Sequence, residues 1–313
     1  MSATIEEPSD VRAKRTGPCT LILNANAGAL KATADADQIR QLADSIGADL
    51  NIVTSSSKEE TSGLLRRLVA EKAARVAVAG GDGTIAHAVQ ELAHTDTALG
   101  IIPQGTANNF ASALRLPPDL PSALRVLVDG EVRAVDLGRV ETGSTRKAAR
   151  YFTESAGVGL FADALTIYGK GTNKNIFRAA YAIARLVLSL RARRIRLFID
   201  GELYSERAVL CEAANSYRMA YAIPVAPGAK VTDGLLDTVV VGDLHRRELL
   251  PYLRAMRAQV HESLEKVSMV RASEVRIESG HRMNVHCDDR VVGTTPVTIT
   301  AQPGALKVLV ETL

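Results

Sequence analysis

Five consecutive residues, Gly80-Gly81-Asp82-Gly83-Thr84, have the types and spacing that handle phosphate. They follow the apolar run Arg75–Ala79 and lead into Ile85–Ala93, whose apolar positions suit a helix. Glycines let backbone amides approach phosphate oxygens and adopt positive φ without a Cβ penalty. A helix starting near Thr84 adds unpaired N–H groups and a positive dipole end. A bare carboxylate beside phosphate is repelled, so Asp82 is expected to act through a metal ion or to orient the nucleotide. A plain strand–turn–helix connection with an aspartate in the turn is the competing reading. The P-loop is excluded, because no Gly-Lys-Ser/Thr follows. Ile101–Phe110 repeats the logic: an apolar strand stops at Pro103, and Gly105-Thr106 opens a second helix.

Elements must bring these stretches together. Cys19–Leu23 reads as a buried strand and Asn24–Gly28 as a turn, followed by a helix over Ala34–Ile46. A strand at Asp49–Val53, a helix at Glu59–Ala74, the strand Arg75–Ala79 and a strand at Ala98–Ile102 complete an alternation that predicts a parallel sheet covered on both faces. In such a sheet both glycine stretches lie at the carboxyl edge, where ligands bind. After Gly130 the rhythm changes. Val132–Val140, Arg150–Ser155, Arg194–Ile199, Glu206–Ala213, Leu236–Val241, Glu274–Ser279 and Arg290–Ala301 read as strands, with helices near 175–191 and 246–261. The expected fold is a three-layer α/β domain with a parallel sheet, then a mostly antiparallel β-sandwich or barrel. The boundaries predicted are a disordered leader at 1–17, an α/β domain at 18–135 and a β-rich domain at 136–305. The apolar end, 306–313, is free to return to the first sheet.

The chain has 313 residues, enough for two cores. Its net charge of +3 is too small to imply nucleic-acid binding. Cys19, Cys211 and Cys287 share no metal-ligand spacing and sit in apolar runs, which predicts buried thiols. No stretch approaches about 18 uninterrupted apolar residues, and no signal-type leader is visible, so a cytoplasmic protein is expected.

Taken together, Leu21–Gly28, Gly80–Thr84, Ile102–Ala111, Val135–Val140, Ala226–Asp237 and Cys287–Val310 resemble the diacylglycerol kinase catalytic family, including bacterial lipid kinases and sphingosine and ceramide kinases. The resemblance covers nearly the full length. It implies ATP and Mg²⁺ as cofactors, with the nucleotide held by Asn24, Asn26, Gly80, Gly81, Asp82, Gly83, Thr84, Gly105, Thr106 and Asn108. It implies Asp288 as general base with Asp82 at the reacting centre, Asp136 in a Mg²⁺ and water network, and Asn109, Asp233 and Arg290 at the acceptor cleft. The acceptor would be a lipid hydroxyl presented at a membrane surface; a homodimer is left open.

The departures bear on activity. The usual Asn-Asp-Phe is Asn108-Asn109-Phe110, the usual Asn-Glu after Thr84 is Ala86-His87, and the closing Asp-Gly-Glu is Asp288-Asp289-Arg290. A glycine pair is replaced within Met219–Ala222. Carboxylates are lost and a positive charge is gained, which leaves two readings: a lipid kinase with an altered acceptor, or a nucleotide- or lipid-binding protein with little activity. An NAD kinase, which shares the Gly80–Thr84 motif, is a further alternative. Lys170–Arg196 carries eight basic residues around an apolar stripe, suited either to an anionic membrane or to packing on the sandwich. His87 is expected on an exposed helix face, and neither His281 nor His286 as a metal ligand.

Overall fold

The computed structural model describes residues 19–24, 36–143, 149–168, 191–219 and 223–312. The expected leader, Asn26 and the basic segment up to residue 190 lie outside these residues.

Strands β1 (Cys19–Asn24), β2 (Leu50–Ser55), β3 (Arg75–Gly80) and β4 (Ala98–Pro103) run parallel in the order β2-β1-β3-β4. Between them lie α1 (Ala36–Ser45), α2 (Lys58–Ala70) and α3 (Asp82–Leu92); α4 (Asn109–Ala113) and α5 (Leu120–Asp129) follow β4. Every residue of β4 is buried, as a strand covered on both faces requires. Ser57 and Asp119 start α2 and α5 by accepting the amides of Glu60 and Ser122, each cap contributing about 1 kcal/mol.

The second half holds β5 (Glu131–Thr142), β6 (Arg150–Phe152), β7 (Ser155–Gly159), α6 (Leu160–Tyr168), β8 (Arg193–Ile199), β9 (Glu202–Ala208), β10 (Leu210–Ala214) and β11 (Leu236–Val241). Then come α7 (Leu249–Arg257), β12 (Val267–Ala272), β13 (Glu274–Glu278), β14 (Asn284–Cys287), β15 (Arg290–Thr294) and β16 (Val297–Val310). One sheet extends from the parallel strands through β16, β13, β8 and β9, with β5 and β6 alongside; the other is antiparallel in the order β12-β11-β10-β7-β14-β15. The two pack face to face through Phe152, Leu197, Val285 and Ile299. The outer face of the antiparallel sheet is covered through Tyr252 and Met256 of α7.

Strand β16 ties the halves together. It pairs with β5 from Val297 to Val310, with an irregularity between Gln302 and Leu306, and its end runs parallel to β4 at Val308. Both cores therefore share hydrogen-bonded strands, which fixes the edge of the parallel sheet against the sandwich.

Several expected elements divide. Arg150–Ser155 and Glu206–Ala213 each become two strands, and Arg290–Ala301 splits where the Thr295 amide and hydroxyl pair with Met283. The helix near 246–261 is α-helical only over Leu249–Arg257, since Gln259 takes φ +59°. Strands β12 and β14 and helices α5 and α6 are additions to the expected elements.

Candidate functional site

Strand β3 ends at Gly80, and α3 begins two residues later at Asp82. The Gly80–Thr84 motif is therefore the end of a strand, an extended Gly81 cap and the first turn of a helix, where an acidic residue is favourable. Gly81 supplies no side-chain cap; its carbonyl takes the Thr84 and Ile85 amides at 2.9 and 3.1 Å, and no side chain of the cap residue covers the start of α3. The second glycine stretch closes directly on the first. Gln104 N–H donates to the Gly80 carbonyl at 3.0 Å. A Cβ on Gly105 would sit 2.5 Å from the Gly81 Cα, so these two glycines are required by each other's backbone.

Polar side chains complete the junction. Asn108, left-handed at φ +49°, accepts the Gly105 amide at 2.8 Å and donates to the Gly105 carbonyl at 2.9 Å. The side chain expected to touch nucleotide is thus committed to locking the loop. Asp82 accepts the Phe110 amide at 3.3 Å and so bridges the two stretches. Burial raises its pKa, opposed by the amides of Phe110, Asn109 and Asn108. Thr106 is exposed at the loop tip, and Asn24 ends β1 beside β3.

Asn109 is 1% exposed, and neither amide atom has a partner among the described residues. Leaving a buried polar group unpaired costs about 1–3 kcal/mol, so this amide is disposed to meet a ligand. The first turn of α3 carries the positive end of the helix dipole, where an anion such as phosphate is favoured. Among the described residues no three acidic, histidine or cysteine side chains converge as a metal cage. A divalent cation arriving on nucleotide phosphates would need only one or two protein carboxylates, and the exposed Asp289 beside Gly83 could supply one.

The turn between β14 and β15 faces α3. A Cβ on Gly83 would lie 4.0 Å from Asp289 Oδ2, which places this exposed carboxylate beside the glycine stretch. Asp288 is buried at φ +49° and held at several atoms. Its Oδ1 accepts the Glu154 and Ser155 amides at 2.9 and 3.3 Å, Oδ2 meets the Thr153 amide at 3.4 Å, and its own N–H donates to the Ser155 carbonyl. Burial pushes this carboxyl up to about 6, against the pull of those amides. Asp288, Asp289, Arg150 and Arg290 line a small cavity whose opposite wall is Ala86, His87 and Gln90 of α3. Gln90 pins that wall: its amide donates to the Tyr151 carbonyl at 2.8 Å and accepts the Tyr151 N–H at 3.1 Å. His87 turns toward α2, its Nε2 lying 2.9 Å from Ser62 Oγ and from the Lys58 carbonyl.

Asp136 acts as a clamp. Its two carboxylate oxygens accept the amides of Gly234 and Gly304 at 2.7 and 2.8 Å, fastening the 230–235 loop and β16 to β5. Asn215 Nδ2 links its carbonyl to that of Thr153, beside Asp288. Asp136→Ala is expected to lower stability by about 3 kcal/mol or more, since two amides lose a charged acceptor. Urea unfolding of the two proteins measures this, and an unchanged midpoint refutes it. Asp233, expected at the acceptor cleft, is instead taken up by the Leu235 amide and by Arg271 of β12, at the other side of the antiparallel sheet from β14.

Sequence reasoning missed Asp289, Arg150 and a buried pair behind the turn. His286 and Glu212, both fully buried, meet at 2.9 Å. The available signal was a histidine and a glutamate in otherwise apolar strands, which burial makes informative.

Residues 18–140 match the family described as diacylglycerol kinase catalytic domain, and residues 155–310 match the YegS C-terminal NAD kinase beta sandwich-like domain. A diacylglycerol kinase of Mycobacterium tuberculosis is 32% identical over 271 residues, covering 84% of this chain and 85% of that protein. One of Bacillus subtilis is 26% identical over 71% of this chain and 72% of its own length. A crystal structure of a diacylglycerol kinase from Bacillus anthracis superposes with a TM-score of 0.70 at 21% identity, over 94% of this chain and 97% of that one, a likeness of fold. With both domain models matched in chain order and the mycobacterial relative aligned along most of its length, the chain belongs to the diacylglycerol kinase family.

Proposed function

We propose that this protein transfers the γ-phosphoryl group of ATP, with Mg²⁺, to a lipid hydroxyl of the diacylglycerol type. The observation that carries the reading is the opposition of the α3 N-terminus to the Asp288-Asp289 turn. Phosphoryl transfer to an alcohol needs positioning, charge neutralisation and an acceptor for the hydroxyl proton. The amides of α3 and the Asn109 side chain bind and orient phosphate. Asp288 Oδ2, the less tightly held oxygen, takes the proton, and its raised pKa makes it a better base than an ordinary carboxylate. Arg150 and Arg290 add positive charge where the transferred group carries negative charge. Mg²⁺, when bound, neutralises the phosphates; Asp136 would reach it through water, its oxygens already holding amides.

A binding protein with little activity is the second reading, favoured by the three amides that hold Asp288. Turnover of γ-labelled ATP with Mg²⁺ separates the two. The acceptors are vesicles carrying diacylglycerol, ceramide, sphingosine, phosphatidylglycerol or phosphoinositide, with NAD as a soluble acceptor. Transfer to a lipid, reduced by about 100-fold or more in Asp82→Ala, is the expected result. Bound ATP with no transfer to any acceptor overturns the kinase reading, and transfer to NAD alone replaces the acceptor. Among the described residues no helix is long and apolar enough to cross a membrane. Peripheral association with the membrane that presents the lipid is part of the proposal.

A further inference from the structure

Three neighbouring strands of the antiparallel sheet carry a feature that the transfer reaction leaves unexplained. Glu212 of β10 and His286 of β14 both register on Gly157 of β7, the strand between them. Their side chains meet above that glycine at 2.9 Å. A Cβ at Gly157 would lie 2.5 Å from Glu212 Oε2 and 2.2 Å from the Cys211 carbonyl, so the bridge requires glycine there.

The other ring nitrogen of His286, Nδ1, lies 3.2 Å from the Asp288 carbonyl oxygen. The Asp288 carbonyl can only accept, so Nδ1 donates to it, while Nε2 donates to an ionised Glu212 or accepts from its protonated form. Such a pair is a costly way to fill a core, since desolvation of buried charges offsets most of their attraction. Its geometric effect is specific. Asp288 is a non-glycine residue in the left-handed region, fixed through its amide, its carboxylate and its carbonyl. His286 supplies the carbonyl anchor.

We propose that His286 is a positioning residue for the Asp288 carboxylate, held in register by Glu212 across Gly157. The inference rests on the reading of Asp288 as the proton acceptor. The test compares Glu212→Gln/His286→Asn with Glu212→Gln/His286→Leu, both lacking the buried carboxylate. Asparagine keeps an N–H donor at the position of Nδ1; leucine fills more of the volume but donates nothing. A role in packing alone ranks the leucine variant at least as high as the asparagine variant. Positioning ranks them the other way.

Two quantities are read on the full-length protein: hydrogen exchange of the Glu154 and Ser155 amides, which the Asp288 carboxylate protects, and kcat with KM for ATP. The expected result is exchange about 10-fold faster and kcat about 30-fold lower in the leucine variant than in the asparagine variant, with KM for ATP within about twofold. Equal exchange in the two variants, or the reverse ranking, overturns the inference. If the unaltered protein transfers phosphate to no acceptor, the kinase reading fails separately, and the exchange comparison still decides whether His286 places Asp288.

Discussion

Asp288→Asn is expected to lower kcat by about 10²–10⁴-fold while leaving ATP binding intact, the range typical of losing a positioned general base. Asparagine is close to isosteric, tolerates the left-handed conformation at φ +49°, and keeps an oxygen for the Glu154 and Ser155 amides. What it lacks is a second oxygen able to accept a proton. The pH profile makes the assignment sharper. A base acts only when deprotonated, and burial pushes this carboxyl up to about 6. In the unaltered protein, kcat should be level above about pH 7 and fall about tenfold per unit below about pH 6. A carboxylate at its ordinary value would show that limb near about pH 4. Steady-state kinetics from pH 5 to 9 on both proteins provide the check. An asparagine variant with more than about a tenth of normal kcat removes Asp288 from proton transfer.

Gly105→Ala is expected to reduce turnover by about 100-fold and to weaken ATP binding, through geometry alone. Its methyl would lie 2.5 Å from the Gly81 Cα and 2.7 Å from Asn108 Oδ1. Backbone cannot step aside as a flexible side chain does, so the two glycine stretches must separate, and α3 moves relative to Phe110 and the Asp288 turn. Overpacking of this kind costs about 1–3 kcal/mol, so a folded protein with impaired chemistry is the predicted state. The comparison is Gly63→Ala, at an α2 position where a Cβ meets nothing within 4 Å. That change should stabilise the protein by about 0.5–1 kcal/mol through helix propensity and leave kcat unaltered. Calorimetry and ATP titration of the three proteins test the contrast. Normal ATP affinity and kcat in the Gly105 variant would show that the glycine pair is incidental to nucleotide binding.

Much of this architecture is legible along the chain because its signals are local. Apolar runs ending in Gly80-Gly81 and Pro103 mark buried strands, and their alternation with helical periodicity predicts the parallel sheet and the shared edge of the two glycine stretches. The change to short, turn-separated strands after Gly130 predicts the sandwich for the same reason. Side-chain roles were less legible. Asp82, Asn108, Asp136 and Asp288 all have the composition of ligand-binding residues, yet each binds backbone amides of a distant or looping segment.

Those partners lie many residues away. Gly304 is 168 positions from Asp136, and Glu154 is 134 from Asp288. No periodicity or spacing rule spans such separations; they exist because β16 crosses from the sandwich to β4 and carries both cores with it. The bridge from Glu212 to His286 over Gly157 depends on the registers of three strands at once, which the order β10-β7-β14 sets. Local chemistry along the chain therefore named the fold class and the two glycine stretches that meet at one sheet edge. Long-range strand pairing determined which backbone amides each of these carboxylates holds.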